Sequence, residues 1–137
     1  MKIEKILTGI ALTGIVSLMS GISIAQEIPK LKQNMSYLRA RNLLIKAGWK
    51  PVPNQEQINN RNRSAPVNYF ITQRKYTEIV DCAGSGLGLC LFQFKHASGK
   101  MLFVTTASNG KSQETVYGWR IEKANTNKSK YRLLSSQ

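Results

Sequence analysis

One histidine and two cysteines in 137 residues leave few routes to metal or imidazole chemistry. A structural zinc site wants four Cys or His ligands, and a single histidine leaves room for only one imidazole-based triad. The sequence implies neither metal nor cofactor. Acidic residues are also scarce, 7 against 20 Lys and Arg, for a net charge of +13. At 42% hydrophobic residues the chain is nevertheless no disordered polycation. Its length suits one domain and is short for two separate cores.

The first 25 residues read as an address. Lys2 and Lys5 make a short basic start, residues 6–19 are an uncharged apolar run, and Ser23 and Ala25 stand at the −3 and −1 positions of a cleavage site. This is the signal-peptide pattern. The rival is an uncleaved anchor, since residues 6–25 are uncharged and long enough to span a bilayer. The Gly, Ser and Thr content and the small-residue site favour removal. No Cys lies nearby for lipid attachment. Residues 26–137 would then carry 18 bases and 6 acids. An exported protein, periplasmic or extracellular, is expected. Its two thiols, Cys82 and Cys90, should be joined as a structural disulfide.

Residues 26–34, with Pro29, read as an extended arm. Ser36 can cap a helix running to Ala47, with Gly48 as its stop. Tyr37, Ala40, Leu43, Leu44 and Ala47 form its apolar stripe, and Trp49 can fold back on the core. Residues 50–64 are polar and read as a loop. A shorter second helix is expected over residues 66–75, begun by Pro66.

From residue 76 the hydrophobic period becomes two. Strands are predicted over residues 76–82, 89–95, 101–106 and 116–123, separated by Gly-rich or polar turns. If Cys82 faces Cys90, Val80 pairs with Phe92 and Glu78 with Phe94. The three-residue turn 97–99, with Gly99 left-handed, pairs Phe94 with Leu102 and Phe92 with Val104. The expected fold is α+β, a helix-loop-helix packed in two layers on a four-stranded antiparallel meander, over residues 35–123. Trp119 and Ile121 are expected to join the inner face. Residues 124–137 form a polar, basic tail.

Three features invite a functional reading. The run 84–88 is Gly-rich, but it leads into a strand and contains no Lys, unlike a phosphate loop. Glu78, His96 and Arg120 are the residue types of a small basic ribonuclease. The predicted register, however, puts Glu78 and His96 on the inner face and Arg120 on the outer. Catalysis is therefore the second reading, as a secreted basic hydrolase. The outer face is the third feature: Ile79, Leu91, Met101 and Phe103 make an apolar strip beside Asp81, Lys95 and Arg120. That mixture suits a partner surface. The expected partner is a protein or an anionic envelope component, and the positive charge also suits a membrane surface, whereas no motif interleaves with it for nucleic acid.

Residues 37–51 (YLRARNLLIKAGWKP), 76–94 (YTEIVDCAGSGLGLCLFQF) and Tyr117-Gly118-Trp119-Arg120 resemble a group of uncharacterised small exported bacterial proteins. In architecture the chain is similar to one module of the β-lactamase inhibitor protein, and to small outer-membrane-assembly lipoproteins. The resemblance implies the fold. It carries no activity, because only one module is present and the lipidated Cys is missing. The expected function is thus a binding or inhibitory module.

Overall fold

A computed structural model of the chain describes residues 28–84, 86–108 and 114–123. The signal segment and the basic tail lie outside these residues. The fold is mixed α+β, with three α-helices and an open antiparallel sheet of five strands.

Helix α1 spans Tyr37–Lys46. Ser36 caps its start, its Oγ accepting the Arg39 N–H at 3.4 Å. At the other end Gly48 takes φ +87°, and the N–H groups of Gly48 and Trp49 donate to the carbonyls of Ile45 and Leu44. This is a Schellman cap, which satisfies carbonyls that the helix end would orphan. The positive φ favours glycine, and the site is also tight, since a β-carbon at Gly48 would meet His96 Nε2 at 3.1 Å. The cap turns Trp49 inward and makes it the largest fully buried side chain.

The polar stretch after Trp49 is more ordered than its composition suggests. Lys50–Pro51 forms β1, and Gln55–Asn59 forms α2, capped by the Asn54 side chain accepting from Gln57 N–H. Helix α3, Ala65–Tyr69, continues as a π-helical turn, Phe70–Arg74, and closes at Lys75 with φ +61°. The predicted second helix is thereby found.

Strands β2 (Ile79–Cys82), β3 (Cys90–Lys95), β4 (Met101–Ser108) and β5 (Glu114–Glu122) pair in succession. The expected strand over residues 76–82 begins three residues later, because β1 occupies the edge beside Phe94 and Lys95. With β4 on the other edge of β3, β1 and β2 share one edge end to end. Cys82 faces Cys90 and the two are disulfide-bonded, consistent with an oxidising, exported location. Closing this short loop contributes about 2.5 kcal/mol by chain entropy. The hairpin at 97–99 is as predicted, with Gly99 at φ +83° and Phe94 opposite Leu102.

A bulge corrects the face assignment of β2. Asp81 pairs with Leu91, but Ile79 rather than Val80 pairs with Phe92. Val80 is the extra residue, and its carbonyl accepts from Gln57 Nε2 at 3.2 Å and Asn54 Nδ2 at 3.4 Å. A bulge changes which side chains point inward. Ile79, expected on the outer strip, is fully buried in the core.

Around it the core is aromatic. Tyr37 stacks on Phe92 with ring centroids 4.0 Å apart, and Phe70 meets Phe92 edge-on at 5.2 Å. Trp119 and Ile121 lie opposite Val104 and Leu102, hence on the core-facing side. They are nonetheless 37% and 38% exposed. The segment before α1 runs along the first half of β5, through the Ser36–Thr115 bridge and the Asn34 and Met35 bonds to Val116, and α1 then leads toward β1. The second half of β5 is left outside that cover.

Candidate functional site

The outer face of the sheet is built from alternating residues of β3, β4 and β5. One row runs Gln93, Phe103, Arg120, and the next Leu91, Thr105, Gly118. Leu91, Met101 and Phe103 are half-buried by their lateral neighbours, while Lys95 and Arg120 are exposed. α1 and the π turn after α3 pack on the opposite face, through Tyr37 and Phe70 against Phe92. The Arg120 guanidinium sits 4.7 Å from the Phe103 ring centroid, and its Nε donates to Glu122 Oε1 at 2.8 Å. The ring contact and the carboxylate together hold the Arg120 guanidinium beside Phe103. Beside it, Gly118 presents no side chain, and a β-carbon there would meet nothing within 4 Å. The result is an apolar strip with a shallow notch and a charged rim. Of the six residues read from sequence as a partner surface, five share this face: Leu91, Lys95, Met101, Phe103 and Arg120. Ile79 does not.

A second polar cluster was not anticipated as such. Glu78, just before β2, is fully buried. Its Oε1 accepts the Tyr37 hydroxyl at 2.9 Å and Arg41 Nε at 2.6 Å, both from α1, while Oε2 has no hydrogen-bond partner. The Arg41 and Arg74 guanidinium carbons lie 5.3 and 5.4 Å from the Tyr76 ring centroid, and Arg74 Nη2 donates to the Tyr76 hydroxyl at 3.4 Å. Burial, then the charge and hydrogen bond of Glu78, push the Tyr37 hydroxyl well above its ordinary pKa. For Arg41 burial acts downward, but the hydrogen bond and charge of Glu78 outweigh it and raise the pKa. A fully buried carboxylate held by a helix cannot reach a substrate without local opening. It anchors α1 to the chain entering β2. Tyr37 and Arg41 stand four apart on one helix face, which was the available signal; their partner was not identifiable from the sequence.

The cluster makes stability sensitive to alkali. Tyr37 ionises later in the folded than in the unfolded chain, so its contribution is complete below about pH 10 and falls away as pH rises toward the folded-state pKa. Melting midpoints measured between pH 8 and 11 should drop more steeply for the natural protein than for Tyr37→Phe. Parallel slopes would show that Tyr37 carries none of this dependence.

The trio Glu78, His96 and Arg120 is not assembled. Glu78 engages Tyr37 and Arg41, His96 Nδ1 accepts the Ser98 N–H at 3.1 Å, and Arg120 engages Glu122. The Gly-rich turn joins β2 to β3, with Gly86 and Gly88 at positive φ and the Ala83 N–H donating to the Leu89 carbonyl at 2.7 Å. It serves the hairpin and precedes no helix.

Comparison with protein-family models, curated proteins and solved structures finds no match to this chain.

Proposed function

We propose that the chain is an exported, basic binding or inhibitory module, released by removal of its leader, that captures an acidic protein on the outer face of its sheet. The observation that carries the reading is the half-buried strip of Leu91, Met101 and Phe103 beside Lys95 and Arg120, a face on which none of the described helices packs. Apolar side chains at the centre with charge at the rim are the composition of an interface. Without the leader, 18 bases against 6 acids leave a net charge of +12, which selects acidic partners and opposes self-association. The two-layer arrangement expected from sequence accords with this reading, because it leaves one sheet face free for the partner.

Phe103→Glu tests it. A charge at the centre of the strip should abolish capture of envelope proteins while leaving the melting transition in place. Arg120→Glu should weaken capture and reduce its dependence on salt, because it removes a rim charge. Unchanged capture by Phe103→Glu would place the partner elsewhere. Failure of that variant to fold would assign Phe103 to the core and remove the basis of the proposal.

A further inference from the structure

The sheet sets two lysines face to face. Lys50 of β1 stands directly opposite Lys95 of β3. Cross-strand β-carbons at such positions are about 4.5–5.5 Å apart, and like charges there are destabilising. The same row continues through Met101 to Glu122. Glu122 is thus two strands from Lys95, about 10 Å at ordinary strand spacing, and its carboxylate is already engaged by Arg120 at 2.8 Å. Among the described residues neither lysine forms an ion pair.

Both lysines line an open cavity of about 350 Å³, together with Pro51, Val52, Pro53, His96 and Ala97. The Ser98 N–H donates to His96 Nδ1, so the neutral ring carries its proton on Nε2. The site combines two unneutralised ammonium groups with an apolar lining. Either feature alone would be ordinary surface. Together they suit a ligand with an anionic head and a hydrophobic body.

We propose that this cavity binds a monocarboxylate carried on a compact apolar group. The carboxylate would lie between the two ammonium groups, relieve their repulsion and accept charge-assisted hydrogen bonds from both. The apolar body would cover the Pro-Val-Pro segment. The volume is at the small end for ligand pockets, which suits a short acyl chain or the last one or two residues of a peptide. A short fatty acid and a free peptide C-terminus share this chemistry. Lys95 also stands at the rim of the outer-face strip, but small carboxylates test this site without any protein partner, and its failure leaves the reading of the strip, tested at Phe103, untouched.

Calorimetric titration of the protein with octanoate in one arm and N-acetyl-leucyl-leucine in the other separates the two sources. At least one carboxylate should saturate at one per chain, and the arm that binds names the source. The corresponding amide should bind at least tenfold more weakly, as should inorganic phosphate. The double variant Lys50→Gln, Lys95→Gln should lose at least tenfold in affinity while still melting cooperatively. Lys50→Glu supplies an internal carboxylate opposite Lys95. It should abolish binding and raise the melting midpoint without ligand. Absence of binding in both arms would overturn the proposal, as would equal binding of the amide or of phosphate, or unchanged affinity in the double variant. A Lys50→Glu midpoint at or below that of the natural protein would overturn it too, since the repulsion it relies on would be missing.

Discussion

Arg41→Ala should destabilise the protein by about 3–5 kcal/mol, the range for removing one partner of a buried ion pair. Arg41 is only partly covered, its side chain 23% exposed, but Glu78 is fully buried. Truncation would leave that carboxylate with the Tyr37 hydroxyl alone, and Oε2 is already without a partner. The loss is large because it is the desolvation of an uncompensated charge, rather than the worth of the contact. Replacing both residues together, Arg41→Met with Glu78→Met, should therefore recover much of the deficit. Urea denaturation of the single and double variants checks this. A single-variant loss below about 1 kcal/mol would mean that water reaches Glu78 and that the pair behaves like a surface one.

The second large effect is expected at Trp49. Its side chain is fully buried at the junction of α1 and β1, with its ring centroid 5.4 Å from that of His96. Trp49→Ala should cost about 3–5 kcal/mol, through lost burial and the cavity left behind. Trp49→Phe should cost much less, because it keeps most of the apolar volume and removes Nε1, a buried donor without a partner. The two tryptophans can be read separately. With Trp119 replaced by Phe, the remaining emission should be blue-shifted and protected from acrylamide. With Trp49 replaced by Phe, emission from the 37%-exposed Trp119 should be quenched readily. Easy quenching of Trp49 would contradict its position in the core.

Trp119 also shows where local pattern stops being informative. Alternation places it on the core-facing side, and the register agrees, opposite Val104. Whether a core-facing residue is covered depends on where the helix crosses the sheet. That path follows from the Ser36–Thr115 bridge and the Gly48 turn acting together, which no window of β5 contains. The short elements β1 and α2 differ from the loop expected over residues 50–64 for a related reason. Two and five residues are too few to show a period, and α2 is polar because it works through side-chain hydrogen bonds to the β2 bulge.

By itself the sequence determined the elements whose signals are local. The Ser36 cap and Gly48 stop bound α1, Pro66 opens the second helical segment, and Gly99 sets the hairpin that pairs Phe94 with Leu102. The Cys82–Cys90 disulfide belongs with them, since its ends are eight positions apart and a single hairpin brings them together. Tertiary structure alone decided three things. It made Val80 the bulge residue, and so moved Ile79 from the outer strip to the core. It joined Glu78 to Tyr37 and Arg41, 41 and 37 positions away. It also set Lys50 against Lys95. Each of these depends on side chains or carbonyls brought together from distant segments, and the energy of such a contact has no expression in the sequence near either end.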